Sequence, residues 1–205
     1  MSSNPHQITR QFEAELCEYT GAPYAVAVNS CTMAILLACA YLEVGVVRIP
    51  KRTYVSVPMS IIHAGGDVEF EDLEWSGAYR LKPYPVFDAA RRFTSNMFRD
   101  TGDPVSCHKF ICVSFHASKI LGLEQGGAIL HGSSKADSWL RRARFDGRAE
   151  GVAPADDTFR DIGWHCYMSP SVAAQGVLKL HSLPRVNPDL PNDAYPDLST
   201  LECFK

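Results

Sequence analysis

The chain has 205 residues, 46% of them hydrophobic and 21% charged, with a formal net charge of −3. This is the make-up of an ordinary globular protein with room for one good core, and the charge gives no overall pull toward nucleic acid or membrane. No apolar run approaches the roughly 20 residues that span a bilayer, and residues 1–10 lack the apolar stretch of a signal peptide. The seven cysteines are odd in number, and Cys39 and Cys112 lie in apolar patterns where free thiols pack as small hydrophobes. A reduced, cytoplasmic protein is expected.

Along the chain, Ile8, Phe12 and Leu16 are spaced for one face of a helix over 7–19, which Gly21 is placed to end. Residues 25–28 form a short apolar strand, and 33–41 are long and apolar enough for a buried helix. A strand at 46–49, a helix at 55–64 with Pro58 in its first turn, and a strand at 67–70 follow. This β-α-β-α-β alternation predicts an α/β fold of three layers, α-β-α, around a mostly parallel sheet. Residues 79–81 are a weak strand, 86–87 end a buried one at Asp88, and 91–107 read as a loop. Strands at 109–113 and 127–130 flank a loop closed by Gly126-Gly127. A basic amphipathic helix at 133–145, an acidic loop at 151–161 and a helix at 169–183 come next. Pro184, Pro188, Pro191 and Pro196 then forbid a long helix and predict an extended arm. The domains read as 1–183, shortened between 71 and 86, and the arm 184–205.

Four features carry chemistry. Asn29-Ser30-Cys31-Thr32 lies between a strand and a buried helix, where backbone N–H groups and hydroxyls suit a phosphate. Simple capping by Ser30 explains the same residues. Tyr54 follows the second strand, where its ring either covers a flat cofactor or joins the core. Asp88, at a strand end, needs a cationic or protonated partner, which Arg91 or Arg92 can supply. Lys119, near Ile120 and Leu121, is either a loop lysine in solvent or an amine nucleophile toward an aldehyde. Cys107, His108, Cys112 and His116 have spacings open to zinc, but strand alternation sets Cys107 opposite the other two of its strand, and Cys112 sits in an apolar run; no metal site is assigned. In order along one sheet edge, a phosphate cradle, an aromatic plate, a carboxylate and a lysine match the needs of pyridoxal 5′-phosphate (PLP).

With those residues in view, the chain resembles the DegT/DnrJ family of fold-type I PLP enzymes, mostly nucleotide-sugar aminotransferases. The resemblance runs through residues 20–32, 50–66, 87–90, 114–127 and 163–180. It implies the large domain of a fold-type I enzyme and a Schiff base between Lys119 and the cofactor. It also implies that Asp88 pairs with the pyridine nitrogen and that Tyr54 stacks on the ring. Ser114, Thr32 and the Cys31 backbone fall where the family holds the phosphate, beside the Ser30 hydroxyl of the same turn. The family forms homodimers with shared active sites, so His165, in the turn 163–165, would come from the neighbouring subunit. Cys31 replaces a usual glycine, Arg91 stands where the family has Gln or His beside the cofactor's phenolic oxygen, and His165 where it has an Asn reaching the partner's phosphate; the resemblance makes both cofactor-binding. The family continues for well over a hundred residues beyond the last helix, where this sequence has the proline-rich arm; losing that small domain should leave the site more open.

The resemblance implies amino-group transfer on a sugar-like or other small carbonyl substrate. The alternative is a decarboxylase or other Cα-bond-cleaving lyase acting on an amino-acid-like group, one attached to a nucleic-acid base in an open site included. Arg141, Arg142, Arg144 and Arg148 could bind its phosphates or simply form a solvated helix face. A non-catalytic dimeric remnant is the third reading. Retention of Lys119 argues against it, since nothing structural requires a lysine there. No membrane partner is expected.

Overall fold

The computed structural model describes residues 4–100 and 108–205. The first helix, α1 (Gln7–Thr20), buries Phe12 and Leu16 and stops where Gly21 takes a left-handed φ of +75°, a conformation glycine adopts without steric cost. Then come β1 (Tyr24–Val28), α2 (Cys31–Tyr41), β2 (Val46–Pro50), α3 (Ser56–His63) and β3 (Asp67–Glu71). The chain continues through β4 (Tyr79–Leu81), β5 (Val86–Asp88), β6 (Phe110–Ser114), β7 (Gly127–His131), α4 (Ser134–Ala143) and α5 (Pro170–Ser182).

The main sheet has the order β1-β7-β6-β5-β4. Strand β7 runs antiparallel to β1 and β6, β5 is parallel to β6, and β4 is antiparallel to β5. A parallel pair, β2 and β3, meets the end of β4 through an antiparallel bridge between Arg48 and Lys82, with backbone bonds of 2.8 and 3.0 Å. Carried across that bridge, the directions of β1, β2, β3, β5 and β6 agree, and β4 and β7 oppose them. The α/β class therefore holds, with a mixed sheet. The early β-α-β-α-β alternation does not place β1 beside β2, because β1 pairs with β7 instead. The weak strand at 79–81 turns back on β5 as a hairpin, since only four residues separate the two.

Both faces of the central strands are buried, as alternation requires of a covered sheet. Val26, Val28, Phe110, Cys112 and Ile129 face a core shared with α2, α3 and α4. Ala25, Ala27, Ile111, Val113, Ala128 and Leu130 face the opposite core, with α1 and α5. The cysteines at 17, 31, 39, 112, 166 and 203 are free thiols, and Cys107 lies outside the described residues.

Two expectations change. The α4 arginines are neither a solvated face nor a phosphate-binding patch. Arg144 is fully buried against Glu13 and Glu150, Arg141 bonds Glu13 and Asp137, and Arg142 bonds Asp157 and Asp161. Arg148 lies over the ring of Phe145. The carboxylates come from α1, more than a hundred residues away, from α4 itself and from the acidic segment 150–161 that follows it. The arm, in turn, does not leave the body open. Ser95 donates its N–H to Arg185 O at 2.9 Å, Asn187 Nδ2 bonds the Tyr19 hydroxyl at 2.8 Å, and Arg92 Nε bonds Asp189 at 2.8 Å. Farther on, Leu198 is fully buried and its N–H bonds Lys51 O at 2.8 Å. Between these anchors the arm crosses the sheet edge.

Candidate active site

A cavity of about 560 Å³ lies where the carboxyl ends of β1, β5 and β6 meet the start of α2, the edge at which α/β sheets bind ligands. Ser30, Cys31, Thr32, Tyr54, Asp88, Arg91, Ser114 and Lys119 all line it. His165 does not. It is 72% exposed and its Nδ1 lies 2.9 Å from Asp146 Oδ2.

Ser30 caps α2, its hydroxyl accepting from the Met33 N–H at 3.2 Å and donating to Asn29 Oδ1 at 3.1 Å. Capping and lining the cavity are thus compatible. The first turn of a helix has N–H groups without intrahelical acceptors and a positive dipole end. Beside it, the Thr32 and Ser56 hydroxyls sit 2.8 Å apart. This corner suits an anion with several oxygens. Its floor is Gly127, where a Cβ would lie 2.6 Å from Cys31 N and 2.8 Å from Val113 O, so no larger residue fits without moving backbone.

Asp88 is 4% exposed. Its Oδ1 accepts from the Ala90 N–H at 2.9 Å and its Oδ2 from the Tyr79 hydroxyl at 3.0 Å. With Tyr79's one proton committed, the Thr53 hydroxyl donates to Tyr79 at 2.6 Å. Burial pushes the Asp88 carboxyl up, and its two hydrogen bonds and the charges of Lys119 and Arg91 offset part of the rise. The arginines expected to neutralise it take other partners. Arg91 pairs with Asp193, and Arg92 with Asp189.

Lys119 stands on the loop between β6 and β7, which Phe115, Leu121 and Leu123 pin into the core. Its N–H bonds His116 O at 2.8 Å, and the Leu123 N–H bonds Phe115 O at 2.7 Å. Partial burial first, and the positive charge of Arg91 second, lower the pKa of the Lys119 amine, with Asp193, Asp88 and Cys31 opposing. A lysine held this way is a better nucleophile toward a carbonyl. Tyr54, 58% exposed, stands on the rim, its ring free to cover a flat ligand.

Sequence reasoning missed part of the lining: Trp75, Glu124 and Gln125, and from the arm Asp193 and Tyr195. The two arm residues sit among prolines, with no periodicity to mark them. Among the described residues no group of three or more His, Cys, Asp or Glu could hold a metal.

Residues 3–99 match the model of the DegT/DnrJ/EryC1/StrS aminotransferase family. Over 69 residues the chain is 41% identical to the spore coat polysaccharide biosynthesis protein SpsC of Bacillus subtilis, a match covering 32% of this chain and 18% of SpsC. A solved Bacillus cereus protein assigned as a PLP-dependent aminotransferase superposes with a TM-score of 0.71 at 18% identity, over 87% of this chain and 59% of that one. Helicobacter pylori PseC, an aminotransferase involved in pseudoaminic acid biosynthesis, gives 0.67 at 16% identity, over 86% and 58%. At these identities the likeness is one of fold, that of the fold-type I enzymes. The DegT/DnrJ stretch contributes α1 to β5, including the cavity's Ser30, Thr32, Tyr54 and Asp88, while Lys119 lies beyond it. The chain spans about three fifths of the length of these solved relatives.

Proposed function

We propose that the chain is a PLP-dependent enzyme that transfers an amino group to a sugar-like or other small carbonyl substrate, with Lys119 as the amine that joins the cofactor's aldehyde. The observation that carries this is one cavity holding a half-buried amine, a buried carboxylate and a helix start together. The family of residues 3–99 supports it. When bound, PLP supplies a protonated ring that takes up electrons from a carbanion. The α2 start, with Ser30, Thr32 and Ser114, would hold its phosphate. Asp88 would keep the pyridine nitrogen protonated, and Tyr54 would cover one face. As a free amine, Lys119 would be placed to move a proton between carbons as general base and acid.

Decarboxylation would use the same residues. A nucleic-acid-linked substrate has less support, because the arm lines the cavity and the α4 arginines are taken by carboxylates. The proposal includes a cytoplasmic homodimer with a shared site. His165, exposed and outside its own chain's cavity, supports that assembly, as do the exposed apolar side chains of Met59 and Ile62 on α3.

The test is visible absorbance after incubation with PLP. Wild type should gain a cofactor band that Lys119→Ala lacks, and a protein that never takes up PLP sinks the proposal. Product analysis then separates the reactions. A keto acid with an aminated acceptor supports transfer, and carbon dioxide release from an amino acid indicates decarboxylation. Sedimentation velocity decides the dimer.

A further inference from the structure

Arg91 is a buried cation facing the cavity, 6% exposed, and its partners all come from the arm. Its Nη2 pairs with the Asp193 carboxylate, and Nε and Nη2 donate to the Tyr195 hydroxyl at 3.2 and 3.1 Å. The Tyr195 ring lies 5.7 Å from the guanidinium carbon and stacks on Trp75, another lining residue, at 6.2 Å. The Asp193 side chain, by contrast, is 70% exposed. It hangs in the crossing between Pro191 and Pro196, held at one end by the Leu190 N–H on Arg91 O at 2.9 Å and at the other by buried Leu198.

The two partners are unequal. A buried guanidinium needs an anion, because leaving it unpaired is costly. An exposed carboxylate loses little when it returns to water. The planar guanidinium fork also matches a carboxylate better than any other small anion except phosphate.

We propose that Arg91 is a carboxylate-binding subsite of this cavity, filled here by Asp193 of the chain's own arm, and that the free ligand it takes is a small carboxylic acid. For an aminotransferase that acid is the amino-acid donor or the keto acid it leaves behind. This identity rests on the function proposed above, whereas the subsite itself does not. A tethered carboxylate competes at an effective concentration in the millimolar range, so a free acid must displace it.

Isothermal titration of the full-length protein with glutarate, an unreactive dicarboxylate, tests this, with PLP content recorded separately by absorbance. Asp193→Asn should bind glutarate about tenfold more tightly than wild type, once the tethered competitor loses its charge. The double variant Arg91→Gln/Asp193→Asn should lose that gain. An unchanged or weaker affinity in Asp193→Asn overturns the proposal, and so does a gain that survives in the double variant. Should Asp193→Asn not fold, tryptophan emission in wild type, to which Trp75 beside Tyr195 contributes, decides. A glutarate-dependent change that Arg91→Gln lacks supports the subsite, and a flat response in wild type overturns it. Failure of the subsite with normal PLP uptake leaves the cofactor proposal standing, and the reverse outcome leaves the subsite standing.

Discussion

The Tyr79 hydroxyl reaches across the β4–β5 hairpin to donate to Asp88 Oδ2 at 3.0 Å. A short strand that contributes little else to the sheet thereby orients the carboxylate at the end of its neighbour. Tyr79→Phe removes one of two hydrogen bonds to a buried acid, a loss of about 1–3 kcal/mol for the charged form. Asp88 should then ionise less readily and hold a ring nitrogen less well. PLP retention on dialysis is expected to fall several-fold, while the far-UV spectrum stays unchanged. Retention equal to wild type would rule out this orienting role.

Gly127→Ala places a methyl group against backbone on both sides, at the α2 start and at β6. Relief requires α2 or β6 to move, and overpacking of this kind costs roughly 1–3 kcal/mol. Urea unfolding should report that loss, together with weaker PLP binding, because the corner proposed for the phosphate is the part displaced.

Glu13 ties α1 to α4. It is 3% exposed, accepts from Arg144 and from Arg141 Nη1 at 2.6 Å, and takes the Ala27 N–H at 2.9 Å. Burial alone would raise its carboxyl, but the two arginines and the Ala27 bond outweigh it and hold the group below the ordinary range. Glu13→Gln takes one of two carboxylates from buried Arg144 and from half-buried Arg141, which keep Glu150 and Asp137. A loss of about 1.5–3 kcal/mol in chemical denaturation is expected.

His131 is fully buried in β7, stacked between Tyr24 and Phe110. Burial, which outweighs the pull of Asp137, lowers its pKa to about 4. An unfolded imidazole titrates near 6.5, so between those values the unfolded chain holds a proton that the folded one refuses. Stability should therefore fall as pH drops from about 6.5 to about 4, by roughly 3 kcal/mol from this group. Denaturant midpoints across that range should show the slope in wild type and a smaller one in His131→Phe.

The elements were legible because each strand is a short apolar run and each helix carries a stripe or a cap, as with Phe12 and Leu16 in α1 or Ser30 before α2. The cavity residues were legible because they sit at strand ends, where Asp88 and Ser114 stand out after apolar runs. What sequence did not reveal depends on contacts between distant segments. Arg144 reads as one more surface arginine until Glu13, 131 positions away, is brought against it. Tyr195 reads as a linker tyrosine until Arg91 meets it across 104 positions. The pairing of β1 was missed for the same reason, since its partner β7 is encoded about a hundred residues later and local alternation pointed to β2.

The β1–β7 ladder joins Tyr24 to His131, and Gly126 bridges to Ser30. The stretch that carries the family's signature is therefore not a folding unit. Expressed alone, residues 3–99 would leave β1 with an unpaired edge and the start of α2 without its glycine floor. The family match rests on one half of the chain, whereas the cavity is assembled from both.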